Sequence, residues 1–165
     1  MLLYLMRHGI AIDSEDPKCP ADAERYLTRK GMEKTRAVAL GLRAMGIQPE
    51  AMLTSPFVRA VQTAEITAAA FAFGRDKIRQ TEALCFGRKP AELFRELSRM
   101  RAKEVICFGH APHLDEVIAY ALGSRANLTS LKKAGVACLE LKSMAPPKGS
   151  LVWLCTPRTL RGLGE

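Results

Sequence analysis

The sequence predicts an α/β domain, a three-layer α/β/α sandwich with a mostly parallel central sheet. Three observations predict it. Short apolar runs alternate along the chain with longer segments of helical period. The early runs are apolar almost throughout, as strands covered on both faces require. At 165 residues, 48% of them hydrophobic and 25% charged, the chain can build one core of ordinary size but not two.

Residues 2–6 read as the first buried strand. No basic stretch precedes them and Arg7-His8-Gly9 follows at once, so they do not read as a secretory signal. A polar loop from Asp13 to about Arg25 comes next, where Pro17 and Pro20 block regular structure. Thr28 suits the cap of a helix in which Met32, Val38, Ala39, Leu42 and Met45 recur at helical spacing, until Gly46 stops it. Residues 51–55 form a second short strand, and Pro56 fits the turn after it. A second helix is expected over 57–73, Ala-rich in its second half and ended by Gly74. Residues 77–81 read as a minor strand. Residues 90–100 form a third helix with Leu93, Phe94 and Leu97 on one face. A third buried strand, 104–108, runs into Gly109-His110, and a fourth helix covers 114–122 before Gly123. Two late strands, 136–141 and 151–155, are joined by a Pro146-Pro147-Lys148-Gly149 turn as a hairpin. Residues 1–155 thus make the single domain, and 156–165, with Pro157 and two glycines, read as a loose tail.

The net charge is +8, from 25 Lys and Arg against 17 Asp and Glu. Such a field attracts phosphate esters, acidic proteins, nucleic acids or lipid headgroups without choosing among them. The basic residues are spread out, which argues against a polybasic tail. No apolar run approaches the roughly 18 residues of a membrane-spanning helix, so no membrane association is expected. A nucleic-acid-binding module has only the net charge in its favour, since no RNA-binding aromatic motif or helix-turn-helix spacing stands out. Cys19, Cys85, Cys107, Cys138 and Cys155 are odd in number and widely spaced. They support neither a zinc site nor a disulfide framework, and they fit a reducing cytoplasm. Cys107, Cys138 and Cys155 lie in apolar runs and read as small core residues.

In open α/β sheets, ligands bind where strands end. That rule selects Arg7-His8-Gly9, Ser55-Pro56 and Gly109-His110. A single histidine at a strand end is more often bonded to backbone than to a ligand. Two of the three histidines in equivalent places, each beside a glycine that lets backbone approach closely, are less easily set aside. Arg7 adjoins His8, and Arg59 falls in the first turn of the helix after the second strand, where free N–H groups and the positive dipole end also favour an anion. Guanidinium groups meet phosphate oxygens two at a time. Two arginines and two histidines at one sheet edge therefore predict a phosphate pocket.

These residues carry a resemblance. Arg7-His8-Gly9 after a short first strand resembles the signature of the histidine phosphatase superfamily, which includes phosphoglycerate mutases and many phosphatases. The Ser55-Pro56-Phe57-Val58-Arg59-Ala60-Val61-Gln62-Thr63-Ala64 segment is similar to that family's second block along its whole length, and Gly109-His110 resembles the third. Within the superfamily the chain looks most like the short SixA-type phosphohistidine phosphatases. It lacks room for the large cap insertion of longer relatives, and Leu27-Thr28-Arg29-Lys30-Gly31 is like the segment that precedes their first long helix.

The resemblance implies a phosphoglycerate mutase-like fold and a phosphatase that needs no metal or other cofactor. His8 would be the nucleophile, giving a covalent phosphohistidine, while Arg7, Arg59 and His110 hold the phosphoryl oxygens. Chemistry agrees: a histidine attacks through a neutral ring nitrogen, and neighbouring guanidinium groups disfavour the imidazolium. Glu82 is the best-placed general acid, with a solvated loop carboxylate as the plain alternative. The third block lacks the Asp after its histidine that acid phosphatases use as donor. That departure agrees with a phosphohistidine substrate, whose protonated imidazole leaves neutral near pH 7. Ser55 either donates to phosphate or, more commonly for its position, caps the next helix. His113 is expected at a helix-start surface, Cys85 at the pocket mouth or as filler, and Asp13, Ser14 and Glu15 in a turn that is solvated or touches substrate. The expected substrate is a phosphorylated protein, with a small phosphate ester as the alternative.

Overall fold

The computed structural model describes residues 1–164. Its strands are β1 (Leu2–Arg7), β2 (Ala51–Thr54), β3 (Arg79–Gln80), β4 (Glu104–Gly109), β5 (Val136–Met144) and β6 (Pro147–Cys155). Its helices are α1 (Arg29–Ala44), α2 (Val58–Ala70), α3 (Pro90–Leu97), α4 (His113–Ala121) and α5 (Pro157–Leu163). One sheet runs β3-β2-β4-β1-β5-β6. Its first four strands in that order are parallel, and β5 and β6 close the other edge antiparallel.

The side-chain alternation of a strand divides the core in two. From β1, Leu3 and Leu5 pack with Leu93 and Phe94 of α3 and Val117 and Ile118 of α4. Tyr4 and Met6 point the other way, into a cluster with Val38 and Leu42 of α1, Ala64 of α2 and Leu160 of α5. All four β1 residues are buried, which is why the run carries no polar alternation. The fold class is therefore the predicted one. Among the described residues no helix is long and apolar enough to cross a membrane.

Register places the site. Arg7 lies opposite Gly109, and Met6 and Thr54 both lie opposite Phe108. The next residues out are His8, His110 and Ser55, so three separated segments end at one sheet edge. Backbone bonds from His8 N to Gly109 O and from Ser55 N to Phe108 O, both 3.0 Å, hold them there.

Several boundaries differ from the sequence reading. Residues 157–163 are not a loose tail but α5, started by the Thr156 side chain accepting from Thr159 N and by Pro157. Its Leu160 is fully buried, and a Cβ on Gly41 of α1 would meet Leu160 O at 1.8 Å, so the two helices touch backbone to backbone. Seven residues give too little periodicity to show a helix whose order comes from packing. The hairpin turn is tighter than expected, because Pro147, Lys148 and Gly149 pair within β6. Helix α2 ends before Gly74: Ala72 takes the left-handed conformation (φ 52°) and Phe73 N donates back to Ala68 O at 2.9 Å. Phe71 and Phe73 pack against the core there, and that burial holds a non-glycine residue at positive φ.

Candidate active site

His8 is 7% exposed and His110 only 2%, with ring centroids 5.2 Å apart. The Nδ1 of His8 lies 2.8 Å from Gly9 O. A carbonyl only accepts, so Nδ1 carries the proton and Nε2 keeps its lone pair. That lone pair receives Arg59 Nε–H at 3.3 Å. Gly9 is fixed in turn by its N–H donating to Thr63 Oγ1 at 3.0 Å, and a Cβ on it would meet Thr35 Oγ1 at 2.4 Å. Neither Gly9 nor Gly109 takes a positive φ, so both serve close approach rather than a special turn.

Arg59 is 4% exposed in the first turn of α2. Besides His8, its guanidinium donates to Asp22 O and to Asp22 Oδ2, the latter at 3.2 Å. Arg7 donates Nη1–H to Leu131 O at 2.8 Å, while its buried Nε has no partner. His110 Nε2 lies 2.8 Å from Ser55 Oγ, and its buried Nδ1 is also without a partner. A cavity of about 450 Å³ joins Arg7, His8, Arg59 and His110, with Arg25, Lys133, Asp22 and Phe86 completing the wall. Phe57 and Phe86 pack edge-on against the His110 ring, which restricts its rotation. Four cations around one carboxylate, two histidines and two orphaned ring or guanidinium nitrogens make a site for a tetrahedral oxyanion.

Burial sets the electrostatics more than the arginines do. It lowers the His8 pKa to about 3, with Arg59, Arg7 and Lys133 adding to the effect and the Gly9 bond opposing it. His110 falls to about 3 for the same first reason, assisted by His8 and Arg59. Burial alone would raise the Asp22 carboxyl, but Arg25 and Arg59 together outweigh it and hold it below the usual carboxylate range. Both imidazoles are thus neutral at pH 7. Unfolded, they take up protons near pH 6.5; folded, they do so only near pH 3. Between those values the unfolded chain binds more protons, so this contribution to stability is complete above about pH 6.5 and is lost as pH falls toward 3. The thermal midpoint is expected to drop by about 5 °C or more from pH 7 to pH 4. In a His8→Gln/His110→Gln protein that drop should shrink; an unchanged slope would locate the acid sensitivity elsewhere.

The other sequence-predicted residues fall differently. Ser55 Oγ accepts from Phe57 N at 3.3 Å where the chain enters α2 and bonds His110 Nε2, but Ser55 is not among the side chains lining the cavity. Glu82 is not among the side chains lining the cavity. The Thr81-capped 3-10 turn over Glu82–Leu84 buries Ala83 and Leu84 and turns Glu82 outward, with its carboxylate 3.5 Å from Cys85 Sγ and 3.7 Å from Arg88. It reaches His110 only through Cys85 and Ser55, whose Sγ and Oγ lie 3.5 Å apart. That placement does not suit a proton donor to the leaving group. His113 is not at a surface: it is fully buried, and its Nε2 lies 2.9 Å from Ala83 O, tying α4 to that turn. Asp13 is exposed and accepts from Glu15 N in a local turn.

Sequence reasoning missed Asp22, Arg25 and Lys133. The first two lie in the loop read only as irregular, and Arg25 is held by two bonds to Ile12 O. One available signal was Gln62, within the second block, whose Oε1 accepts from Leu27 N at 2.7 Å and draws that loop to the pocket.

Comparison with known proteins bears on the family and the fold. A family model described as histidine phosphatase superfamily (branch 1) matches residues 3–85. An uncharacterised protein of Picosynechococcus sp. is 39% identical over 97% of this chain and 99% of its own. The phosphohistidine phosphatase SixA of Escherichia coli K12 is 38% identical over 66 residues, covering 39% of this chain and 38% of that protein. Among solved structures, protein histidine phosphatase SixA complexed with tungstate superposes with a TM-score of 0.84 over 97% of this chain and 99% of that one, at 22% identity. A phosphoserine phosphatase of Entamoeba histolytica in complex with phosphoserine superposes with a TM-score of 0.72 over 95% and 98%, at 16% identity. At these identities the structural likeness is one of fold.

Proposed function

The chain belongs to the histidine phosphatase superfamily, and from that premise we propose that it hydrolyses phosphohistidine in a protein by way of a phosphoryl group carried on His8. In the first step His8 Nε2 attacks phosphorus, the Nε2–P bond forms, and the substrate N–P bond breaks. Arg59 leaves the Nε2 lone pair and turns its donors, with those of Arg7 and His110 Nδ1, to the phosphoryl oxygens. In the second step water attacks, an O–P bond forms, the Nε2–P bond breaks and the water proton leaves with phosphate. Throughout, Gly9 O keeps the proton on Nδ1, so His8 departs as neutral imidazole rather than as an anion. Guanidinium groups supply the positive charge, which is why no metal is invoked.

One observation supports the choice of substrate. Among the described residues the single carboxylate in the cavity wall is Asp22, and Arg25 and Arg59 hold it ionised. An alkoxide leaving group needs a proton from such a wall; a protonated imidazole leaving group does not. A phosphohistidine peptide is therefore expected to show a kcat/KM at least about tenfold above that of the matching phosphoserine peptide. Glu82→Gln should leave that order unchanged. Equal rates, or a preference for the ester, would favour a small-ester phosphatase and overturn the reading.

A further inference from the structure

We infer that a basic cleft beside the catalytic cavity binds an acidic segment of the protein that carries the phosphohistidine. The inference rests on the protein substrate proposed above and adds where that protein is held. A second cavity, of about 400 Å³, adjoins the first across Arg7 and Lys133, which line both. Lys34, Lys132 and Arg161 complete its charged lining, and among the described residues no carboxylate faces it. Lys34, Lys132 and Lys133 make no ion pair among those residues. Beyond Lys34 and Arg161 the groove continues as a third cavity of about 680 Å³ between α1 and α5, with Lys30 and Arg158. The one carboxylate there, Glu33, already pairs with Arg29.

Like charges gathered in a concavity repel one another, and ordinary surfaces intersperse the two signs. The arrangement is also built rather than incidental. Ala134, at φ 61°, donates its N–H to Arg7 O and His8 O, both 3.0 Å, and Gly135 N donates to Lys132 O at 2.7 Å. The Lys132-Lys133 turn is thereby fastened to the backbone of the two catalytic-pocket residues. Three cavities joined through shared walls suit an extended chain better than one small anion. The floor of the second is aliphatic, from Ile10, Ala134 and Pro157, with no aromatic ring on which a base would stack. That favours an acidic peptide with interspersed apolar residues over a nucleic acid.

The test uses a fluorescein-labelled peptide of glutamate and leucine without any phosphoryl group, followed by anisotropy. The intact protein is expected to bind it at low salt, and the Lys34→Glu/Lys132→Glu protein about tenfold more weakly, with its thermal midpoint confirming the fold. A phosphohistidine peptide flanked by that sequence should be hydrolysed with a kcat/KM about tenfold above a neutral-flanked one. The double variant should lose this advantage while its rate on p-nitrophenyl phosphate stays within about twofold of the parent. No binding, equal binding by both proteins, or tighter binding of oligothymidylate than of the peptide would overturn the inference. Peptide binding that the variant loses, with no preference for phosphohistidine over phosphoserine, supports the cleft and sinks the substrate reading instead.

Discussion

His8→Ala is expected to fold as the parent does and to lose turnover by a factor on the order of 10⁴ or more, the scale of removing a nucleophile that acts as a unit with its surroundings. The fold should survive because the His8 ring bonds only within its own segment and to Arg59, while its backbone N–H, bonded to Gly109 O, is retained. The lost ring borders an open cavity, so no sealed void remains in the core. Binding should outlast chemistry: Arg7, Arg59 and His110 still converge, and inorganic phosphate should inhibit or bind within roughly tenfold of the parent affinity. The decisive measurement is the intermediate. Brief incubation with a labelled phosphoryl donor should leave acid-labile label on the parent and none on His8→Ala. Label at full level in the variant would move the nucleophile to another residue, and His110 would be the next to replace.

The central sheet was readable because burial on both faces writes itself as a continuous apolar run. Residues 2–6 and 104–108 appear in the structure within a residue of their expected ends. The first helix was readable for a local reason, Thr28 accepting from Gly31 N at its start and Gly46 at φ +77° beyond its end. What escaped depends on contacts far along the chain. The α5 helix is short and is ordered by α1. The end of α2 is set by the burial of Phe71 and Phe73, which overrides the glycine that local rules prefer.

The site divides in the same way. The structure brings His8, Ser55, Arg59 and His110 together because each follows or closely succeeds a strand end, and parallel register turns those positions into one edge. Asp22, Arg25 and Lys133 reach that edge from segments held by hydrogen bonds to residues distant in the chain, and no periodicity marks them. The sequence reading also named the smaller cause of the low His8 pKa. Neighbouring arginines are visible in sequence; an imidazole's loss of water is visible only once the chain is folded. His113 shows the same blind spot, since a helix-start histidine gives no sign that the adjoining turn will cover it.

Arg59→Ala should lower kcat by about a hundredfold or more, as loss of one preorganised donor to the developing charge does elsewhere. The resting contacts of Arg59 explain why kcat should suffer more than KM. Its donors are engaged by His8 Nε2 and Asp22, so initial binding of substrate costs it those bonds and gains little. As phosphorus nears Nε2, the donor that covered the lone pair must move to the oxygens, and the full benefit comes only when the equatorial charge is greatest. Removing Arg59 also leaves the Asp22 carboxylate facing the incoming anion with one of its two guanidinium partners gone and only Arg25 remaining, and that repulsion adds to the loss. Arg59→Lys should recover less than about tenfold of it, because one ammonium cannot serve two phosphoryl oxygens and stack on Phe57, over whose ring the guanidinium carbon now lies at 5.1 Å. Arg59→Ala/Asp22→Ala should recover part of the loss of Arg59→Ala alone. Single-turnover kinetics on phosphoramidate, which separate transfer to His8 from its hydrolysis, read both effects. A transfer rate within threefold of the parent in Arg59→Ala would remove this side chain from the reaction.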